Sequence, residues 1–201
     1  MNRQRTIRHA RYVEATIVAK LIAATSHDLP IAAWLVPDAQ QRPVVLTDVA
    51  RIWVEHALFY GEIDIALDAN SGITGAAVWF HRYGHIPAPT AYQQRLTAAC
   101  REHTDRFTHL GATLTAEPPD LPCQQLAFLA TTDQTDDETT ERLLTHHNAR
   151  LDAHESPAHT FAFGDRDREL LSRHGYQPGQ PIDLPGQHTI VPMRRAAQPR
   201  T

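Results

Sequence analysis

The segment TTDQTDDETTERLLTHHNARLD, Thr131 to Asp152, decides how the rest of the chain is read. Just before it, Leu126-Ala127-Phe128-Leu129-Ala130 is an apolar run with the length of a buried strand. The residues from Asp136 onward carry helical spacing, so the segment is a strand-to-helix junction. Such a junction often holds a phosphate, which takes glycines for close backbone approach and free N–H groups at the helix start. This one has no glycine, and it carries Asp133, Asp136, Asp137 and Glu138. Thr135-Asp136-Asp137-Glu138 has the T-x-x-E form of a capping box, whose side chains satisfy the first helical N–H groups themselves. Carboxylates in that turn stabilise the helix through its dipole by about 0.3–1 kcal/mol each and meet a phosphate with like charge. Helix stability and phosphate affinity therefore oppose each other here.

Nearer the N-terminus, Ile17, Val18, Leu21 and Ile22 fall on one helical face after a short strand from Thr6 to His9, and the stripe stops near His27-Asp28-Leu29-Pro30. Leu46, Val49, Ala50, Trp53, His56, Ala57 and Tyr60 form a second stripe, closed by Gly61 as a C-cap. Glu62 to Leu67 alternates as a half-buried strand, Asp68 to Gly72 is a turn, and Ile73 to Phe80 is a second strand of the same hairpin. Tyr92, Leu96, Ala99, Cys100, His103, Phe107 and Leu110 predict one helix ending at Gly111, before a break at Glu117-Pro118-Pro119-Asp120. Beyond the strand at 125–130 and the helix at 136–153 come a strand at Thr160–Phe163, a helix from Asp165 to His174 stopped by Gly175, and two strands around Pro185-Gly186. The order predicts one α/β domain over residues 1–201, with a central mixed, partly parallel twisted sheet flanked by helices. Residues 186–201 are expected to hold the last strand and a flexible tail.

Composition narrows the classes of function. A formal net charge of −4 over 201 residues gives no basic surface for nucleic acid. Cys100 and Cys123 are too few for a disulfide framework and lack a CxxC neighbour. The start, MNRQRTIRHARY, has no apolar targeting core, and no apolar run reaches the roughly 20 residues of a membrane span, so a soluble cytoplasmic protein is expected.

With this order of elements, the chain resembles the GNAT (GCN5-related N-acetyltransferase) superfamily. Pro30, Trp34, Leu35, Pro37 and Asp38 in PIAAWLVPD resemble the acceptor-side segment of many bacterial members, and Arg173-His174-Gly175-Tyr176 resembles the end of the family's last helix. The resemblance implies the GNAT-like fold, with the strand at Leu126–Ala130 opening beside a parallel neighbour. It also implies that backbone groups of Phe128, Leu129 and Ala130 hold the pantetheine arm of an acyl thioester. The family's Q/R-x-x-G-x-G/A turn, which wraps the pyrophosphate of acetyl-CoA, aligns with Thr135, Glu138 and Thr140, and all three depart from it. Where many members carry a tyrosine that protonates the departing thiolate, this chain has Leu171, and Tyr176 matches the packing aromatic.

The remaining chemical signal is the set of 13 histidines. His81 after the Val78-Trp79-Phe80 strand, and His56 and Glu55 on the second helix, are candidate bases for an acceptor amine, a task suited to groups that titrate near neutrality. The plainer reading makes His56 a core histidine. Trp34, Trp79 and His85 are candidate substrate contacts, although core packing explains large aromatics equally well. His146 and His147 point about 100° apart on a helix, which predicts one exposed and one packed residue, and no metal site is expected. Three readings stand: small-molecule acyl transfer to an amine, as in secondary metabolism, from a carrier-protein-bound or other non-standard thioester in place of acetyl-CoA; a decarboxylase, cyclase or hydrolase in the same cleft; and a non-catalytic member that binds a ligand or protein.

Overall fold

A computed structural model describes residues 6–117, 119, 122–133 and 137–198. Thr135 and Asp136 of the expected capping box, Pro118 and Asp120 of the expected break and the last three residues of the chain lie outside the described residues.

The chain forms strand β1 (Thr6–His9), helices α1 (Ala15–Ser26), α2 (Pro30–Leu35) and α3 (Arg42–Tyr60), and then the hairpin β2 (Gly61–Leu67) and β3 (Ile73–Arg82). Helices α4 (Tyr92–Cys100) and α5 (Thr104–Ala116) come next, then β4 (Cys123–Thr131), α6 (Asp137–Ala153), β5 (Ala158–Ala162), α7 (Asp165–Arg173), β6 (Gln177–Pro178), β7 (Ile182–Leu184) and β8 (His188–Arg195). The sheet runs β1-β2-β3-β4-β5-β8-β6, with β7 also paired to β8. Among the described residues, only the β4–β5 pairing is parallel. This is the expected mixed α/β sheet.

Strand alternation sorts the side chains onto two faces. Ile63, Ile65, Val78 and Phe80 pack under α1 and α3. Ala66, Ala77, Trp79 and Leu126 face the other way, under Leu143, Leu144 and Leu151 of α6 and Leu170 and Leu171 of α7. A third cluster gathers α2, α4 and α5 with Leu184 and Ile190.

Two local expectations change. Pro30, read as a stop, occupies the first turn of α2, where its missing N–H costs nothing. The stripe from Tyr92 to Leu110 is split between α4 and α5, because Arg101 takes φ 49° and a 3-10 turn at Arg101–His103 redirects the chain; Gly111 then lies inside α5. Cys100 and Phe107 still reach one core. Burial pushes the Cys100 thiol up to about 12, so it is inert at neutral pH.

The last strand is anchored by Arg195, whose guanidinium donates to both carboxylate oxygens of Asp152 at 2.8 and 2.7 Å. The Gln198 amide donates to the same carboxylate at 2.7 Å. The Arg195 hydrogen bonds, helped by the Gln198 amide and the Arg195 charge, outweigh burial and hold the Asp152 carboxyl below its ordinary value of 3.8. A carboxylate depressed in the native state adds stability above its unfolded pKa and loses it as pH falls through the native one. Asp152→Asn is expected to cost about 2 kcal/mol at pH 7. In urea melts, the gap from wild type should close as pH drops below about 3.8; a gap independent of pH would contradict the ionic assignment.

Candidate active site

Strand β4 carries the irregularity on which the site depends. Val78 pairs with Phe128 but Trp79 pairs with Leu126, so Ala127 is an extra residue that bends β4 away from a straight ladder. On its other edge, the parallel pairing with β5 covers only Gln124↔Ala158 and Gln125↔His159. Just beyond, the Thr160 hydroxyl donates to the Leu126 carbonyl at 2.8 Å and closes the apex of a fork. Past that apex β5 pairs with β8, while Ala127, Phe128 and Leu129 are half-buried. An extended ligand with amide groups can pair with β4 in this fork as a strand would. Phe128, Leu129 and Ala130 occupy that edge.

At the helix after β4, Asp137 accepts from Arg166 at 2.7 Å and from Arg173 at 3.2 Å, and Arg173 also donates to Glu141 at 3.0 Å. The Arg166 hydrogen bond, followed by the charges of Arg166 and Arg173, keeps the Asp137 carboxyl below its ordinary range. Arg168 pairs with Asp165 at 2.9 Å. Leu171 is buried in the apolar cluster under α6 and α7. Tyr176 is buried beside it, its hydroxyl donating to Asn148 at 3.4 Å, and burial raises its pKa well above the ordinary phenol value. Neither residue supplies a proton to a departing thiolate at neutral pH.

The three residues expected as bases are not gathered in one pocket. His81 shares a sheet face with Trp79, under α6, whereas His56 packs with Trp53, Tyr60 and Phe80 on the opposite face. His56 is buried, burial lowers its pKa against a hydrogen bond to the Pro87 carbonyl, and its Nε2 has no partner among the described residues. It is a neutral core histidine. Glu55 is tied to Arg95 at 2.5 Å and lies 3.8 Å from Arg51. Of the expected substrate contacts, Trp79 is fully buried and therefore a core residue, because the indole is covered by the imidazole of His147. His85 is exposed in the loop after β3. Trp34 sits with its ring centroid 6.3 Å from those of His109 and His188. His188 borders a cavity of about 250 Å³ with Pro30, Ile31, Phe163, Gln187 and Thr189. Phe163 directly follows β5, and Thr25 of α1 ties that helix to the end of β4 through the Thr131 carbonyl at 3.0 Å. The cavity therefore lies near the open end of the fork.

A polar cluster that sequence reasoning did not assemble lies under α6. Glu62 and Asp64, two residues apart on β2, face the same side, and α6 lies across β2, β3 and β4. His147 places Nδ1 2.9 Å from Asp64 Oδ2 and Nε2 3.1 Å from the Gln124 side-chain oxygen, with its ring stacked on Trp79 at 3.7 Å and 3°. Its pKa is lowered by burial, against the pull of Asp64 and Glu62. With the Gln124 amide turned to present N–H to Nε2, neutral His147 is satisfied at both nitrogens. Arg150 bonds to both carboxylates, and His81 Nε2 is 3.3 Å from Glu62. Burial alone would raise the Glu62 carboxyl; the His81 hydrogen bond and the charge and hydrogen bond of Arg150 outweigh it and hold it below its ordinary range. The signal in the sequence was the acidic pair at alternate positions of a half-buried strand together with His147, the packed member of the adjacent histidines.

No family model matches the chain, and no curated protein matches it. Solved structures do. A structure of a histone acetyltransferase HPA2-related acetyltransferase from Corynebacterium glutamicum is 20% identical with a TM-score of 0.71, over 98% of this chain and 99% of its own. Arylalkylamine N-acetyltransferase 2 from Aedes aegypti is 11% identical with a TM-score of 0.65, over 97% and 100%. The C-terminal condensation domain of Ebony, in complex with β-alanyl-dopamine, is 14% identical with a TM-score of 0.60, over 96% and 99%. No helix among the described residues is long and apolar enough to cross a membrane. Carried by the forked β4–β5 pair and by likeness over nearly the whole length of these structures, the conclusion is that this chain has the GNAT acetyltransferase fold.

Proposed function

We propose that the protein transfers an acyl group from a thioester to a small amine, with the pantetheine arm of the donor lying along Phe128–Ala130. The observation that carries this reading is the fork between β4 and β5, whose apex is closed by Thr160 and whose β4 edge is half-buried and open to pairing. Three of the matched structures bear names of amine acylation or condensation, which supports the same chemistry. The amine approaches through the cavity beside Pro30, Phe163 and His188, with Trp34 packed behind His188. With Leu171 in place of a proton donor, the thiolate leaves without side-chain assistance from that position.

The donor is a thioester that does not depend on a pyrophosphate contact, such as one on a carrier protein. The turn after β4 has no glycine. Arg166 and Arg173, the cations flanking the start of α6, are already held by Asp137 and Glu141. By calorimetry acetyl-CoA is expected to bind no tighter than about millimolar, near −4 kcal/mol. Incubation with an acyl-pantetheine thioester and an arylalkylamine should yield the N-acyl amine, detected by mass spectrometry. Micromolar binding of acetyl-CoA would overturn the donor assignment. Failure of every acyl thioester to give an amide would overturn acyl transfer itself. Asp137→Asn removes the charge that holds Arg166 and one of the two carboxylates that hold Arg173, and is expected to tighten acetyl-CoA binding about tenfold.

A further inference from the structure

The cluster under α6 takes no part in the proposed acyl transfer, since its carboxylates stand on β2, two strands away from the β4 edge that faces β5. It brings one histidine and two carboxylates within 4.8 Å of one another. We infer that His9, Glu62 and Asp64 bind a divalent transition-metal ion of the zinc type.

The geometry comes from three sources. His9 and Asp64 are directly opposite in the β1–β2 ladder, and Glu62 is two residues from Asp64 on the same strand face. His9 Nδ1 lies 3.2 Å from Asp64 Oδ1 and 3.7 Å from Glu62 Oε2, and one ligand atom from each of the three falls within 4.8 Å of the others. Ligands about 2.0–2.1 Å from a tetrahedral ion are separated by roughly 3.3 Å, so the two measured distances need little adjustment to close on one. A neutral imidazole with two carboxylates matches ligand types that zinc accepts. The third source is support from behind. The second oxygen of Asp64 is held by His147, which is itself fixed against Trp79 and Gln124, so Asp64 is oriented before any ion arrives.

Arg150 is the competitor. Its guanidinium bonds to the same Glu62 and Asp64 oxygens that would ligate the ion, so in the metal-free protein it supplies the positive charge. Two carboxylates against one guanidinium leave one negative charge in excess, which a divalent ion removes more completely. Arg150 has somewhere to go: it borders a cavity of about 230 Å³ shared with His81, Tyr83, Gln124 and His154. Entry from solvent is through His9, whose side chain is 62% exposed.

The test is titration of chelator-treated protein with Zn²⁺ by calorimetry and with Co²⁺ by visible absorption, without any acyl donor, so that its outcome is independent of the acyl-transfer reading. Binding of one ion per chain is expected, with tetrahedral cobalt bands. His9→Ala, a change at an exposed edge position, is expected to weaken affinity about tenfold or more, and Arg150→Gln to tighten it about tenfold. His146→Ala, an exposed histidine on the same helix, should leave affinity unchanged. Equal affinity in wild type and His9→Ala would place the ion on other histidines and overturn the assignment, as would absence of binding in both wild type and Arg150→Gln.

Discussion

Asp64→Ala is expected to destabilise the metal-free protein by about 3–5 kcal/mol, the largest effect of any single truncation in the cluster under α6. Asp64 is fully buried and serves His147, Arg150 and His9 at 2.9, 3.3 and 3.2 Å. Removing it leaves the Nδ1–H of a buried imidazole and one end of a guanidinium without an acceptor. His147 cannot turn to water, because Trp79 covers one face of its ring. The cost is that of stranded polar groups and not of a lost attraction, which makes a second variant informative. Replacing both members of the buried pair by apolar residues, as in Asp64→Leu with His147→Phe, removes the stranded imidazole, leaves Arg150 its bond to Glu62, and is expected to recover part of the loss. Urea denaturation at pH 7 with chelator present measures both. A single-variant loss below about 1 kcal/mol would show that water or a rearranged partner replaces Asp64.

Gly61→Ala is expected to cost about 3 kcal/mol and to lower the melting temperature by roughly 6–12 °C in a chain of this size. A β-carbon at Gly61 would overlap the Trp79 carbonyl oxygen and lie 2.8 Å from its carbon, with Phe80 Cα at 3.0 Å. All three are backbone atoms, so no side chain can turn aside, and the start of β2 must separate from β3. In that pair β2 carries Glu62 and Asp64 and β3 carries Trp79 and His81, all on the α6 face, so the shift reaches the polar cluster as well. A melting temperature within about 2 °C of wild type, measured by calorimetry, would mean that the two strands part at little cost. The sequence placed Gly61 correctly at the end of a helix, but a left-handed cap is not the reason for it: φ is −167°, which any residue adopts.

Local periodicity carried most of the fold into view. Strands β2 to β5, helices α1, α3, α6 and α7 and the β7–β8 hairpin follow from alternating or helical apolar spacing bounded by turn residues, which depend only on near neighbours in the chain. The same local signals predicted that one of His146 and His147 is exposed and the other packed, and the structure makes His146 the exposed one. Their limit shows at Arg101, where a stripe continuous in sequence is cut by one left-handed residue and its two halves reach the same core from different directions.

Residue type and spacing alone were enough for the mixed α/β class, for most of its elements and for the lack of glycine after β4, since each of these is written along the chain; α2, the break between α4 and α5 and the short β6 were not. Three-dimensional packing was needed to show that His56 and His81 lie on opposite faces of the sheet, that Asp137 occupies Arg166 and Arg173, and that His9, Glu62, Asp64, His147 and Arg150 meet under α6. The physical reason is distance along the chain. His147 reaches Asp64 across 83 residues, and a contact of that span is fixed by strand register and by which face a helix covers. No local pattern of side chains encodes either.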